Sequence, residues 1–320
     1  MIYDYSKPKI ALLAYKDALP LLENELQTSF HLEKSCYTVH GELILCIDDE
    51  AFLENYPYFA RTVLLEPKIV HFNSIGDAAK FLKNIQRNWA SYQFAFFRRA
   101  SLIQEKLPYI NTKPKKFPFE VPLSEIGLFT LLDENTLLYS AKTSSVLPSG
   151  NIEFIEDHEN PPSRAYLKLQ EALVRFHVHF GVALPSEESR CFDAGACPGG
   201  WTWVLRQLGC KVFAVDRAPL ADFLMADSCV EFQAHDAFTL KPEEVGPFDW
   251  VFSDVICYPE RLYEWVTKWI SSGMTKNMIC TIKMQGEIDW DLVKKFATIP
   301  NSYVVHLCYN KHELTWMWHR

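Results

Sequence analysis

The chain has 320 residues, of which 48% are hydrophobic and 14% aromatic, and its formal net charge is −8. This composition supplies packed cores and excludes a disordered chain, and the length favours two domains over one. No apolar run approaches the roughly 18 residues of a membrane-spanning helix. Acidic residues near the N-terminus, without a small-residue cleavage site, predict that there is no signal peptide.

The nine cysteines are scattered along the chain and form no C-x-x-C pair. Most of them lie inside apolar, strand-like runs such as MICTIKM and VVHLCYN. Unpaired thiols in such positions fit a reducing cytoplasm better than a disulfide framework or a zinc site. We therefore expect a cytoplasmic protein with structural cysteines and no bound metal.

The first segment begins with an apolar strand, KIALLAY, followed by the helical pattern DALPLLENELQ. Two further strand-like runs, CYTVHG and ELILCID, are separated at His40-Gly41. This β-α-β-β order is typical of a small α+β unit. We predict a ferredoxin-like α+β domain over residues 1–60.

The next segment, residues 61–150, is basic. Between residues 61 and 116 it has eleven Lys or Arg residues and three acids, which gives a local charge of +8. Two interpretations stay open: a solvated helical face, or a patch that follows the phosphates of a nucleic acid.

A helix is predicted from the spacing of the apolar residues at 75, 78, 79, 82, 85 and 89. IGLFTLLDENTLLYSAKT then predicts a hairpin that turns at 133–135, and the polar stretch 149–162 predicts a domain boundary.

In residues 151–320, strand-like runs alternate with helical segments. The predicted strands are CFDAG, KVFAVD, VEFQAHD, DWVFSD and MICTIKM. Such alternation indicates a parallel sheet covered by helices on both faces. The last two strands, SYVVHLCY and ELTWMWHR, are joined by a link too short for a parallel crossover, so they must be antiparallel. The fold class is therefore α/β, with a Rossmann-like methyltransferase sheet that ends in an antiparallel hairpin.

A glycine-rich turn, Gly195-Ala196-Cys197-Pro198-Gly199-Gly200, follows the first strand of this sheet. Glycines allow a ligand to approach the backbone, and a helix N-terminus offers free N–H groups. The spacing G-x-x-x-G-G differs from the dinucleotide fingerprint, so it favours a nucleotide without a pyrophosphate over NAD. Asp216, Asp236 and Asp254 end later strands at the same edge, where Asp216 can accept hydrogen bonds from ribose hydroxyls and Asp236 can reach an adenine amino group.

The run D-A-G-A-C-P-G-G-W, with V-D following at 215–216, resembles the FtsJ-like family of S-adenosylmethionine-dependent RNA 2′-O-ribose methyltransferases. Within that family it resembles the RlmM-type enzymes, which methylate a cytidine ribose of bacterial 23S rRNA. The resemblance covers residues 161–320. It implies an RNA partner, 23S rRNA or a precursor, and a reduced THUMP-like RNA-binding region over residues 61–150. It also implies S-adenosylmethionine as cofactor, in contact with Gly195, Cys197, Pro198, Gly199, Gly200, Trp201, Asp216, Asp236 and Asp254.

The same resemblance implies a catalytic Lys-Asp-Lys-Glu set formed by Lys168, Asp254, Lys283 and Glu313. Our hypothesis is that Lys283 is the general base and that the other three orient it and the ribose. Burial and a neighbouring cation both lower the pKa of a lysine, and Lys168 offers such a cation. The structural alternative is that Lys283 is a snorkelling or salt-bridged strand residue. For Trp201 the alternative is a packing role.

Two other functions stay open. The chain could methylate a small molecule or a protein, or it could be a non-catalytic RNA-binding ribosome assembly factor that keeps the fold. The complete set of four residues and the basic segment favour the RNA methyltransferase.

Overall fold

The computed structural model describes residues 7–320. Residues 1–6 lie outside this range. They include the start of the predicted first domain and part of the N-terminal segment for which we expect no signal peptide. The described chain forms two compact units: one comprises the residues up to Lys115 together with Glu120–Glu153, and the other comprises Lys116–Phe119 and Phe154–Arg320. None of the helices in residues 7–320 is long and apolar enough to cross a membrane.

The first unit starts with a four-stranded antiparallel sheet of order β2-β3-β1-β4. Its central strand β1 is fully buried because all five of its side chains are apolar. The predicted β-α-β-β order is confirmed. The elements are β1 (Ile10–Ala14), α1 (Leu19–Thr28), β2 (Tyr37–His40), β3 (Leu43–Cys46) and β4 (Ala60–Leu64).

A second four-stranded sheet completes this unit in the order β5-β8-β7-β6. The predicted hairpin is confirmed, since β7 and β8 pair antiparallel. The ferredoxin-like and THUMP-like assignments stay predictions. The elements are β5 (Lys68–His71), α2 (Ile75–Ile85), β6 (Trp89–Ser91), α3 (Phe97–Lys106), β7 (Gly127–Leu131) and β8 (Thr136–Ser140).

One part of the helical prediction in this region is wrong. The helix α2 ends at Ile85, and Trp89 belongs to the strand β6. The indole Nε1 of Trp89 donates to the carbonyl oxygens of Leu82 and Gln86, each at 3.0 Å. A helix leaves its last carbonyls without intrahelical partners. Trp89 therefore covers the end of α2 from the neighbouring strand, and its apolar spacing imitates a further helical turn.

The second unit is a seven-stranded sheet of order β11-β10-β9-β12-β13-β15-β14. The first five strands are parallel, and β15 is antiparallel to both β13 and β14, so the predicted Rossmann-like sheet with its antiparallel hairpin is confirmed. Its strands are β9 (Arg190–Ala194), β10 (Lys211–Asp216), β11 (Val230–Ala234), β12 (Phe248–Ser253), β13 (Thr275–Ile282), β14 (Ser302–Val305) and β15 (Leu314–His319). Its helices are α4 (Tyr166–Phe180), α5 (Gly200–Gln207), α6 (Asp222–Met225), α7 (Pro242–Val245), α8 (Pro259–Ser272) and α9 (Trp290–Ala297).

Aromatic packing fixes β9, an inner strand of this sheet. The ring of Phe192 lies 5.3 Å from that of Phe248 and 5.5 Å from that of Trp269. Buried aromatic side chains contribute much of a core's apolar area. This packing holds the end of β9 in place, and with it the glycine-rich turn that follows.

A buried carboxyl group, that of Glu25, organises the first unit. It accepts hydrogen bonds from the backbone N–H groups of Tyr58 at 2.8 Å and Phe59 at 3.0 Å. In this way it ties α1 to the chain that leads into β4. Burial raises the pKa of Glu25 to about 8, although these two hydrogen bonds act to lower it.

We predict that Glu25→Gln flattens the pH dependence of the unfolding free energy. The folded state binds the Glu25 proton more tightly than the unfolded state, whose pKa is near 4.5. Stability should therefore fall as pH rises from 4.5 through about 8 in the wild type. Glutamine cannot titrate. The substitution should lower the free energy of unfolding by about 1 kcal/mol at pH 5, roughly the value of one lost hydrogen bond.

The measurement is urea unfolding of both proteins at several values between about pH 5 and pH 8. The exposed Glu54→Gln, in the same segment of the chain, is the control. Equal pH slopes for Glu25→Gln and the wild type would contradict the assignment.

Candidate active site

The turn after β9 needs glycine at two positions. Gly195 has φ +80° and Gly199 has φ +112°, both in the left-handed region that strains other residues. A side chain on Gly195 would collide with Val255, and one on Gly199 would collide with Leu224. On that side the space left by the glycines is occupied by protein, so these residues let the neighbouring segments close onto the turn.

The carboxylate of Asp216 joins this turn to the end of β10. Its Oδ2 accepts the N–H of Cys197 at 3.0 Å, and its Oδ1 accepts the N–H of Ala218 at 3.1 Å. A carboxylate has about four acceptor positions. Asp216 therefore has capacity for further donors, and the hydroxyls of a nucleoside ribose fit this arrangement.

Asp193 was not among the residues selected from the sequence. It is 1% exposed within β9, and its Oδ2 accepts the hydroxyl of Thr202 on α5 at 2.6 Å. Burial raises the pKa of Asp193 to about 7, against the opposing effect of that hydrogen bond. The pair fixes α5 to β9 beneath the turn. The sequence signal for it is an acid in the apolar part of a strand.

Two other predicted cofactor residues have protein partners. Oδ2 of Asp236 accepts hydrogen bonds from Arg217 at 2.8 Å and Arg261 at 2.9 Å, and Oδ1 accepts the N–H of Phe238 at 3.1 Å. Burial raises the pKa of Asp236, but these hydrogen bonds outweigh it and the net pKa is lowered.

Trp201 is 3% exposed, and its indole N–H donates to the carbonyl of Ala165 at 3.0 Å. We therefore propose that Trp201 is a packing residue.

The four residues of the predicted Lys-Asp-Lys-Glu set lie together at the carboxyl edge of the sheet. Asp254 directly follows β12 and Lys283 directly follows β13. Glu313 directly precedes β15, whose antiparallel direction brings its first residue, Leu314, beside Ile282. Lys168 reaches the same edge from α4.

Salt bridges connect the four side chains. The Nζ of Lys168 lies 3.1 Å from Oδ1 of Asp254 and 2.7 Å from Oε1 of Glu313. The Nζ of Lys283 lies 2.9 Å from the same oxygen of Asp254. Lys168 is the more buried amine, with 7% of its side chain exposed against 20% for Lys283. Asp254 therefore holds both amines on one carboxylate oxygen.

Electrostatics keep three of these groups charged. Burial lowers the pKa of Lys168, but Asp254 and Glu313 outweigh it, so the net pKa is raised. Burial raises the pKa of each carboxyl, but the lysines outweigh it, so both pKa values are lowered. Lys168 thus keeps its proton at neutral pH and cannot serve as a proton acceptor. Among residues 7–320 there is no group of three or more His, Cys, Asp or Glu side chains that could hold a metal ion.

The parallel sheet with the single reversed strand β15, and polar groups gathered at its carboxyl edge, define a Rossmann-like methyltransferase domain. Residues 161–309 match the family model described as FtsJ-like methyltransferase. This match over residues 161–309 confirms the resemblance to the FtsJ-like methyltransferases that the sequence shows.

Curated relatives share the name ribosomal RNA large subunit methyltransferase M. The chain is 38% identical over 133 residues to the protein of Azoarcus sp. strain BH72, covering 39% of this chain and 34% of that one. It is 34% identical over 173 residues to that of Halorhodospira halophila, covering 52% and 50%. It is 37% identical over 217 residues to that of Xanthomonas axonopodis pv. citri, covering 67% and 58%. The chain thus spans between about a third and somewhat over half of the length of these relatives.

We predict that Lys168→Met destabilises the second unit more at pH 8 than at pH 5. Without this ammonium, Asp254 and Glu313 lose the main charge that lowers their pKa values. Breaking a buried pair costs about 3 kcal/mol when the remaining charge cannot be neutralised. At the lower pH the two carboxyls can take up protons instead, so the loss of stability becomes smaller.

The control is Lys276→Met, which breaks the exposed pair with Asp249, where 67% of the lysine side chain is accessible. Exposed pairs contribute about 1 kcal/mol or less. Denaturant unfolding at both pH values measures the difference. An effect of Lys168→Met no larger than that of the control would contradict the prediction.

Proposed function

We propose that the chain is an S-adenosylmethionine-dependent RNA 2′-O-ribose methyltransferase that acts on large-subunit ribosomal RNA. The observation that carries this proposal is the cluster of Lys168, Asp254, Lys283 and Glu313 at the carboxyl edge of an FtsJ-like domain. The names of the curated relatives support the choice of ribosomal RNA.

In this proposal the cofactor lies along the turn from Gly195 to Gly200. When bound, S-adenosylmethionine would supply a methyl group activated on a sulfonium. Asp216 would accept the ribose hydroxyls of the cofactor with its remaining lone pairs. Oδ1 of Asp236 would accept a hydrogen bond from the adenine amino group. This oxygen has one contact, whereas Oδ2 is engaged by two arginines.

We assign the general base to Lys283. Lys168 lies between two carboxylates, which hold its proton. Lys283 is the more exposed amine, so an acceptor hydroxyl can reach it. Lys283 would take the proton of the ribose 2′-hydroxyl while Asp254 holds its amine in position. Because both amines contact one oxygen of Asp254, the Lys168 cation lies close to Lys283.

The basic segment supports an RNA partner. Eight of its eleven lysines and arginines are exposed, namely Lys68, Lys80, Lys83, Arg87, Arg98, Lys106, Lys113 and Lys116. Exposed cations in a chain of net charge −8 favour phosphate contacts. No disulfide joins any of the cysteines in residues 7–320, which agrees with our proposal of a cytoplasmic location.

We predict that Lys283→Ala lowers kcat for methyl transfer by at least about 100-fold, the usual effect of losing a general base. Cofactor affinity, measured by calorimetry, should change little, because Lys283 is not among the proposed cofactor contacts. The matched control is Lys276→Ala, at the opposite end of the same strand, which should keep the wild-type rate. Full activity of Lys283→Ala would disprove the assignment.

The acceptor is tested with tritium-labelled S-adenosylmethionine and unmodified ribosomal RNA. We expect label that RNase removes and that maps to a ribose 2′ oxygen. Label on a protein or a small molecule would instead indicate the second function considered above. Cofactor binding without transfer to any acceptor would favour a non-catalytic RNA-binding factor.

A further inference from the structure

The exposed large hydrophobic side chains of the second unit are concentrated at one edge of its sheet. Within residues 154–320 they are Ile155, Phe223, Met225, Ile256 and Tyr258. The last four lie on connections that leave the carboxyl ends of β10 and β12. Single exposed hydrophobic residues are ordinary, but a group beside a polar site indicates a contact surface.

The segment after Asp254 alternates between inward and outward side chains. Val255 packs against Gly195, and Cys257 is buried. Ile256 and Tyr258 point outward, with 78% and 66% of their surface exposed. The carbonyl of Tyr258 accepts the N–H of Arg261 at 3.1 Å in the first turn of α8. The two exposed side chains are therefore held on an anchored segment.

This segment lies between the salt-bridged cluster and a pair of arginines. Tyr258 is four residues from Asp254, so their Cα atoms are at most about 14 Å apart. Arg261 and Arg217 share the single carboxylate of Asp236, which leaves an excess positive charge there. Burial raises the pKa of the Cys257 thiol, and the Arg261 and Lys283 cations partly offset this rise.

We propose that Ile256 and Tyr258 form the platform on which the base of the acceptor nucleotide lies, and that Arg261 contacts an adjacent phosphate. This inference rests on the proposed RNA methyltransferase function. An aromatic ring beside an aliphatic side chain matches the flat face of an unstacked base. A base whose ribose lies at Lys283 is only a few bonds away from that residue. The guanidinium of Arg261 complements the phosphate that follows in the RNA chain.

The test compares the KM for RNA with the KM for S-adenosylmethionine. Tyr258→Ala should raise the KM for RNA by about tenfold, in line with the loss of one stacked base. Tyr258→Phe keeps the ring and should remain close to the wild type. Ile256→Ala should give a smaller rise. Its control is Ile155→Ala, which removes another exposed isoleucine (64% against 78%) from outside the connections that follow β10 and β12 and should change neither constant. Cofactor affinity, measured by calorimetry, should stay constant in all variants and shows that they are folded.

Each outcome distinguishes this proposal from the proposed function. RNA methylation by the wild type with an unchanged KM in Tyr258→Ala would overturn the platform and leave the function intact. An equal rise in both KM values would also overturn it, because the residue would then support the cofactor site or the fold. Label transferred by the wild type to an acceptor other than RNA would refute the function and the platform together.

Discussion

The burial of the Lys168 ammonium is the constraint on which the rest of the site depends. An ammonium removed from water costs several kcal/mol unless carboxylates replace its hydration. Asp254 and Glu313 supply that replacement at 3.1 and 2.7 Å, and neither is near Lys168 in the chain. The sheet must therefore place the last residue of β12 and the first residue of β15 correctly before the ammonium can be buried. The same carboxylate of Asp254 then positions Lys283.

The reversed last strand is what makes this arrangement possible. In a parallel sheet, a residue that precedes a strand lies at the opposite edge from residues that follow their strands. Because β15 is antiparallel to β13, Leu314 pairs with Ile282, and Glu313 lies beside Lys283. The crevice between β9 and β12, where the strand order reverses, lies next to this group. Topology thus brings together the glycine-rich turn, both carboxylates and both amines.

The sequence predicts the sheet of the second unit well because its strands are short apolar runs separated by helices, and the residues of the cluster follow from family resemblance. It does not predict contacts made by side chains from distant segments. Trp89 imitates a helical position while capping α2 from a strand. Asp193 is recognisable as an acid within a largely apolar strand, but its partner Thr202 is known only from the fold. The two arginines that hold Asp236 belong to segments 19 and 25 residues away, and no local pattern connects them.

Charge distribution explains how an acidic chain can be suited to a polyanion. The cluster contains two lysines and two carboxylates, so it offers little net attraction to phosphate. The overall charge of −8 acts weakly at distance, because salt screens charges beyond about 10 Å at 0.1 M. Under the proposed function, local groups would then decide the interaction: the +8 segment of residues 61–116 and the arginines beside Asp236. Under the proposed function, attraction and chemistry would thus fall to different residues: a neutral ribose would meet the charge-balanced cluster, and the phosphates would meet cations outside it.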